Sequence, residues 1–400
     1  MRTIGVVTVA RSDYGIYLPV LRAIQEEAEL QLQIFVSGMH LSPEFGLTVN
    51  MIEADGFEIA ERVEMLLSSD TSEGIAKSIG LGVIGFSQAF TRTRPDILVV
   101  LGDRFEMYAA AVAALPFRIP VAHIHGGEVT QGAIDDALRH SLTKMSHLHI
   151  VSTQEYARRV EQLGEESWRI TVSGAPSLDN LNSIQFLTAE ELEACYNVRL
   201  KPPPLLVTFH PVTLEFEHTE WQINELLAAL DTCGLSVVFT MPNADMKNAV
   251  IRQKIAEYKK THSNAWILDN FGMQGYFSMM RAASAMVGNS SSGIVEAALV
   301  KLPVVNIGIR QHGRIRSRNI IDVGYKTDEI LEGIKNATSE SFRQSLEGLQ
   351  SPYGDGRAAG RIVESLKKAP LDHRLFIKRF IDFPRVDYKN ALNKLNRGAK

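Results

Sequence analysis

The stretch Ile4-Gly5-Val6-Val7-Thr8-Val9-Ala10-Arg11-Ser12-Asp13-Tyr14-Gly15 sets the reading of the whole chain. Its unbroken apolar run suits a strand buried on both faces, as in a parallel sheet covered by helices. The polar cluster that follows leads into the amphipathic segment Ile16–Ala28. The same alternation recurs. Further apolar runs are Leu32–Val36, Ile97–Leu101, Val121–Ile124, Leu148–Val151 and Ile170–Val172. Helical segments Ser72–Phe90, Phe105–Leu115, Ile134–Met145 and Gln154–Leu163 lie between them. The pattern pauses at Gly174-Ala175-Pro176, passes the polar helical stretch Thr188–Tyr196, and stops at Lys201-Pro202-Pro203-Pro204, which no helix or central strand accommodates. A second series then runs through Leu205–Phe209, Ser236–Thr240, Trp266–Leu268, Ala285–Val287 and Val304–Ile307.

Right-handed crossovers turn each series into a doubly wound α/β unit. The expectation is two Rossmann-like domains facing a cleft: residues 1–175, carrying acid/base groups, and residues 176–368, carrying an anion pocket. Residues 369–400 form an aromatic and basic tail that is expected to pack as a helix from Leu371 onward. Ligands of such sheets bind beyond the carboxyl ends of the strands.

A chain of 400 residues fits two domains of about 150–200 residues. Hydrophobic residues at 45% and charged residues at 22% are the balance of a globular protein. A net charge of −4 argues against a dedicated nucleic-acid binder. Cys195 and Cys233 lack metal-ligand spacing and suggest no disulfide framework. No apolar run approaches the roughly 20 residues that span a bilayer, and the first run is too short for a leader, so the expected location is the cytoplasm.

Polar clusters sit after several strands. Arg11 and Ser12 beside Gly15 suit a phosphate oxygen at a helix start, or form a plain helix cap with Asp13. Asp103 and Arg104 could be base and phosphate clamp, or a structural ion pair. The densest stretch is His123-Ile124-His125-Gly126-Gly127-Glu128, followed by Asp135-Asp136 and Arg139-His140. Asp135 and Arg139 share a helix face, as do Asp136 and His140. An acid/base cluster is favoured over a metal site because the spacing is not His-Glu-x-x-His. If the strand extends that far, His123 and His125 point to opposite sides. The Gly-Gly pair would let a ligand approach the backbone. His147 and His149 read as structural.

In the second half, His210 lies at a strand end, and Gly288-Asn289-Ser290-Ser291-Ser292-Gly293 opens a helix over Ile294–Leu299 as an anion nest. Glu296 could accept from a ribose diol, and Arg310 offers a cation to a diphosphate. Neither Gly-x-Gly-x-x-Gly after the first strand nor a Walker motif is present, which disfavours nicotinamide cofactors and P-loop hydrolysis. From residues alone, the chain reads as a two-domain enzyme with a nucleotide-diphosphate pocket.

Taken together and in order, Arg11-Ser12-Asp13-Tyr14-Gly15, Gly102-Asp103-Arg104, His123–Glu128, Ile134-Asp135-Asp136 with Arg139-His140-Ser141 and Thr143-Lys144, Phe209-His210-Pro211 and Gly288–Gly293 resemble the hydrolysing UDP-N-acetylglucosamine 2-epimerases, closest to the bacterial sialic-acid type. The resemblance implies the glycosyltransferase-B fold, with a last helix that crosses back to the first domain around Leu371–Phe383. It implies a homodimer or homotetramer that needs no cofactor and no metal. It implies that UDP-N-acetylglucosamine plus water gives N-acetylmannosamine plus UDP through a glycal. Asp103, His125, Glu128, Asp135, Arg139 and His210 would line the sugar. Arg11, Arg104, Arg310, Ser290, Ser291 and Ser292 would bind the diphosphate, and Glu296 the ribose. His125 stands where many relatives carry a glutamate, so the assignment of proton transfers stays open between His125 and the carboxylates.

Three alternatives compete: the same chemistry on UDP-2,4-diacetamido-2,4,6-trideoxyglucose, a UDP-sugar glycosyltransferase, and a non-catalytic UDP-sugar sensor.

Overall fold

The computed structural model describes residues 1–68, 71–129, 134–241, 249–268 and 271–382. The first sheet comprises β1 (Arg2–Thr8), β2 (Leu30–Ser37), β3 (Ile59–Val63), β4 (Ile97–Leu101), β5 (Val121–Ile124), β6 (Leu148–Val151) and β7 (Ile170–Val172), in the order β3-β2-β1-β4-β5-β6-β7. The second comprises β8 (Leu205–Thr208), β9 (Val237–Thr240), β10 (Ala265–Leu268), β11 (Ala285–Gly288), β12 (Val304–Ile307) and β13 (Ile320–Val323), in the order β10-β9-β8-β11-β12-β13. Every pairing is parallel.

In both sheets the strand order reverses beside the first strand, between β1 and β4 and between β8 and β11. Helices leave to opposite faces at such a point and open a crevice. The crevices lie beside Ala10–Asp13 and Gly102–Arg104 in one sheet and beside His210 and Asn289–Ser292 in the other. Strands β4, β5, β6, β8, β9, β11 and β12 are buried along their whole length, which explains their continuous apolar sequences.

The two sheets share an apolar layer in which Val151, Tyr156 and Val160 pack with Leu178, Met286 and Tyr353. The chain returns to the first sheet at the helix Ala358–Lys368. Its stripe Ala358, Ala359, Ile362, Val363 and Leu366 enters the first core at helical spacing. Arg2 fastens the helix end, donating to the carbonyls of Leu366, Lys367 and Ala369.

Beyond it the described part of the tail, residues 371–382, contains one helical turn, His373–Phe376. The fully buried Arg169 explains why that turn docks. It donates to the carbonyls of Arg374, Leu375 and Ile377 at 2.8, 2.9 and 3.0 Å. Residues 383–400 of the expected tail lie outside the described residues. Among the described residues, no helix is long and apolar enough to cross a membrane.

Candidate active site

At the end of β1, Asp13 is buried beneath the start of the helix Arg11–Glu26. Its carboxylate accepts from the backbone N–H of Ala10 and Val9 at 2.7 and 2.8 Å and from Thr8 Oγ1 at 3.0 Å. Burial outweighs these bonds and pushes its pKa up to about 6. Asp13 thus shapes the strand-to-helix turn, and Arg11 and Ser12 remain exposed on it.

The next strand end separates the two charges of Asp103-Arg104. Arg104 forms a bidentate pair with the fully buried Glu106, with bonds of 2.7 and 3.2 Å. Asp103 instead receives the Nη2 of Arg139, a buried residue on the helix Ile134–Met145. The other arm of Arg139 donates to the His125 carbonyl at 2.8 Å. One guanidinium therefore ties together the ends of β4 and β5.

β5 stops at Ile124, so His125 lies beyond the strand, with φ of +65°. Strict alternation with His123 does not apply. His123 is fully buried between the Gly102 carbonyl (2.7 Å) and Thr143 Oγ1 (3.2 Å), and burial draws its pKa down to about 3. His125 Nδ1 lies 2.9 Å from Glu128 Oε1. Its Nε2 is buried and has no hydrogen-bond partner among the described residues. Burial alone would push the Glu128 carboxyl up. His125, Arg139 and Arg314 outweigh it and hold that carboxyl below the usual range. Ser152 Oγ adds a 3.2 Å bond to the same carboxylate.

Asp135 has the opposite environment. Burial, reinforced by the charge of Asp103, raises its pKa. His140 Nε2 and Asp136 Oδ2, one turn apart on the same helix, are separated by 3.6 Å. The neighbouring glycines serve packing rather than ligand access. A Cβ on Gly126 would stand 3.1 Å from His123 Nδ1. At Gly127, where φ is +75°, it would stand 2.5 Å from the Tyr156 carbonyl. His149 is structural, fully buried at 2.9 Å from Glu165.

In the second unit Asn289 is the hub. Its side chain pairs with the backbone of His210, accepting from the N–H at 2.7 Å and donating to the carbonyl at 2.8 Å. Its own carbonyl accepts from Arg310 Nη1 and Gln311 Nε2, both at 2.9 Å. The ends of β8, β11 and β12 are thereby joined. Burial and the neighbouring Arg310 draw the His210 pKa down to about 4. The helix here is shorter and earlier than expected, Ser291–Val295, because Ser290 itself is the cap and accepts from the Ser292 N–H at 3.3 Å. Ser291 is exposed. Glu296 follows that helix and accepts from Ser177 Oγ at 2.7 Å, and burial raises its pKa.

The structure thus brings Asp103, His125, Glu128, Asp135 and Arg139 into one cluster, and His210, Ser290–Ser292 and Arg310 into another around Asn289. Glu296 feels the charges of Arg314 and His125, which relates the two clusters. Arg11 is exposed, and Arg104 is engaged by Glu106 while its charge reaches Asp135 of the first cluster. Sequence reasoning missed Tyr276, whose pKa burial raises to about 12 against the opposing effect of the nearby Ser292, Thr208 and Ser290 side chains. It also missed Arg314. Among the described residues, no three His, Cys, Asp or Glu side chains are placed to hold a metal ion.

Residues 22–367 match the protein family described as UDP-N-acetylglucosamine 2-epimerase. The chain is 40% identical to the GDP/UDP-N,N'-diacetylbacillosamine 2-epimerase (hydrolyzing) of Campylobacter jejuni, over 95% of this chain and 99% of that protein. It is 35% identical to the UDP-N,N'-diacetylbacillosamine 2-epimerase (hydrolyzing) of Legionella pneumophila, over 94% and 99%. Identity to the polysialic acid biosynthesis protein P7 of Escherichia coli is 34%, over 96% and 98%. The fold superposes on the UDP-GlcNAc 2-epimerase of Methanocaldococcus jannaschii, solved with UDP-GlcNAc and UDP, at a TM-score of 0.74 and 17% identity, over 92% of this chain and 100% of that one. The Neisseria meningitidis enzyme solved with UDP-GlcNAc gives 0.72 and 17%, over the same shares. The fold is the two-domain glycosyltransferase-B type of those structures. With the family matched across most of its length, and relatives above 30% identity spanning nearly all of it, the chain belongs to the UDP-N-acetylglucosamine 2-epimerase family, among its hydrolysing members.

Proposed function

We propose that this protein hydrolyses a UDP-activated 2-acetamido sugar with inversion at C2, and that its substrate is UDP-N,N'-diacetylbacillosamine, the 2,4-diacetamido-2,4,6-trideoxy sugar. The observation that carries the chemistry is His125, with one ring nitrogen against Glu128 and the other buried and unpartnered. An ionised carboxylate only accepts, so Nδ1 donates to Glu128 in either protonation state, and in the neutral imidazole the lone pair sits on Nε2, where it can act as a base. Arg139 holds the residue's carbonyl, and Glu128 orients its ring through Nδ1.

In this reading His125 Nε2 takes the proton from C2 while the C1–oxygen pair leaves with UDP, giving a C1=C2 glycal. A protonated carboxyl then returns a proton to C2 on the opposite face. Asp135, raised by burial and by Asp103, suits that task. Water adds at C1, and its proton passes to a neighbouring carboxylate. UDP would rest on the hydroxyls and N–H groups around Ser290–Ser292, with His210 and Arg310 beside it and Glu296 at the ribose. Arg11 and Arg104 would serve the diphosphate, the first from its exposed position and the second while paired with Glu106.

The diacetamido substrate is favoured by the activity for which the relatives at 40% and 35% identity are named. UDP-N-acetylglucosamine, feeding N-acetylmannosamine into sialic acid, is the second reading. It is supported by the family description and by the polysialic acid relative. Assays of kcat/KM on both UDP-sugars separate them: the first reading requires the diacetamido compound to be preferred, and a preference for UDP-N-acetylglucosamine overturns it. A cytoplasmic homodimer or homotetramer is the proposed working form. The half-exposed Leu81 and Ile84 on the helix Ser72–Arg92 offer apolar surface for such contacts.

A further inference from the structure

The tail beyond the helix Ala358–Lys368 grips the first unit through polar bonds more than through apolar burial. Leu375 is fully buried, whereas Phe376, Ile377 and Phe380 stay exposed. Lys378 points inward. Its Nζ donates to the carbonyls of Lys144 and Ser146 at 2.8 and 2.5 Å and lies 2.8 Å from Glu165 Oε2. Phe380 then lies against Gly164, where a Cβ would stand 2.7 Å from its ring. The Ile381 N–H donates to the Gly164 carbonyl at 3.0 Å.

Lys144 lies in the last turn of the helix Ile134–Met145, and Ser146 follows its end. The last carbonyls of a helix lack partners within it, so a cation there completes hydrogen bonds and complements the dipole. Lys144 Nζ in turn donates to the Leu163 carbonyl at 2.9 Å and to Glu165 Oε1 at 2.5 Å, and His149 Nε2 stands 2.9 Å from Glu165 Oε2. Burial alone would raise the Glu165 carboxyl; His149 and the two lysines outweigh it and hold the pKa down to about 2. The helix clamped in this way is the one that carries Asp135 and Arg139, and Arg139 ties Asp103 and the His125 carbonyl. Asp135 and Lys144 are roughly 14 Å apart along the helix axis, a span over which a helix moves as one body.

We propose that Lys378 is a positioning residue for the reaction: from the C-terminal tail it holds the end of the helix that presents Asp135 and, through Arg139, fixes Asp103 and His125. The assignment rests on the epimerase reading, which gives those side chains their roles around C2 of the sugar. Proton transfer tolerates little drift, and a misplacement of about 1 Å caused by a remote substitution costs up to about 100-fold in rate. Without the Lys378 ammonium, Glu165 keeps Lys144 and His149 as partners, so the buried carboxylate stays paired and the first unit stays folded. What is lost is the tie between the tail and the helix end. The nucleotide is held by the second unit in this reading, so the loss falls on turnover and not on UDP affinity.

The test compares full-length wild type, K378M and K378R by steady-state turnover of the UDP-sugar, calorimetry with UDP, and hydrogen exchange of the peptides that cover residues 134–146. K378M should exchange faster across that helix and lose at least about tenfold in kcat, with KM and UDP affinity within about twofold of wild type. K378R, which keeps a cation at the helix end, should recover most of the kcat. A K378M protein with kcat within twofold of wild type, or with unchanged exchange over the helix, overturns the assignment. So does a K378R protein as slow as K378M, and so does a K378M protein that loses UDP affinity in step with kcat, because that reports general loss of structure. A wild-type protein that turns over no UDP-sugar removes the epimerase reading separately, since the exchange comparison needs no substrate and decides the tie between tail and helix by itself.

Discussion

His125 Nδ1 stands 2.9 Å from Glu128 Oε1 while His125 Nε2, also buried, has no partner among the described residues. Two residues, Gly126 and Gly127, separate the pair in sequence, and the turn that folds them together has the left-handed backbone at both His125 and Gly127. A non-glycine residue at φ of +65° carries a conformational cost of order 1 kcal/mol or more, which the Arg139 bond to its carbonyl helps offset. Strain held at such a position fits a side chain aimed for chemistry rather than for packing.

Replacing His125 by Gln tests that aim. Gln keeps hydrogen bonding but cannot titrate, so turnover should fall at least about 100-fold while UDP affinity stays within about twofold. Steady-state kinetics beside calorimetry provide the check. Near-normal turnover would assign proton transfer to the carboxylates and leave His125 as the group that orients Glu128.

The nucleotide pocket is probed by Ser290→Ala combined with Ser291→Ala. Each charge-assisted hydrogen bond lost to a phosphate should cost about 1.5–3 kcal/mol of UDP binding. Loss of the Ser290 cap should also lower stability by about 1 kcal/mol. Unchanged UDP affinity with a lowered melting temperature would reduce both serines to a structural role.

Gly288 bears on the same pocket through the backbone. Its φ is +136°, and a Cβ there would stand 1.9 Å from the Thr208 carbonyl oxygen. Gly288→Ala should therefore push β11 from β8, misplace Asn289 and Ser290, and cost several kcal/mol. Urea unfolding reads this directly, and a variant as stable as wild type would contradict the close approach of the two strands.

Asp13 predicts a pH dependence of stability. Burial raises its folded pKa from 3.8 to about 6, so between about pH 4 and 6 the folded state holds a proton that the unfolded chain has released. The stability contributed by this group is full below about pH 4 and is lost as pH rises through about 6. The size of the loss is of order 3 kcal/mol. Urea melts of wild type and Asp13→Asn should show the wild type falling relative to the variant over that interval. A constant difference, or one that grows in favour of wild type, would show that Asp13 is not held protonated.

Most of this architecture was legible because the central strands are buried on both faces and so appear as unbroken apolar runs. Ile97–Leu101, Val121–Ile124, Leu148–Val151 and Val304–Ile307 have the boundaries their sequences suggest. Two edge strands were not legible. Ile59–Val63 carries Glu61 and Arg62, and Ile320–Val323 carries Asp322, because one side of each faces solvent and tolerates charge. In the site, residues directly after a strand could be named from position alone. Arg314 could not, since it shares its stretch with Arg310, Arg316 and Arg318 and no spacing rule distinguishes them. The pairing of Asp103 with Arg139 rather than Arg104, and the packing of Gly127 against Tyr156, depend on neighbours from distant strands and helices. Local sequence does not encode those neighbours.

The central claim is hydrolysis with inversion at C2 through proton loss and return. It is tested most directly by proton NMR of the purified protein with UDP-N,N'-diacetylbacillosamine, and separately with UDP-N-acetylglucosamine, in deuterated water without added cofactor. The account predicts UDP and a free manno-configured sugar that carries solvent deuterium at C2. A released sugar that keeps the gluco configuration and its original C2 proton would contradict it.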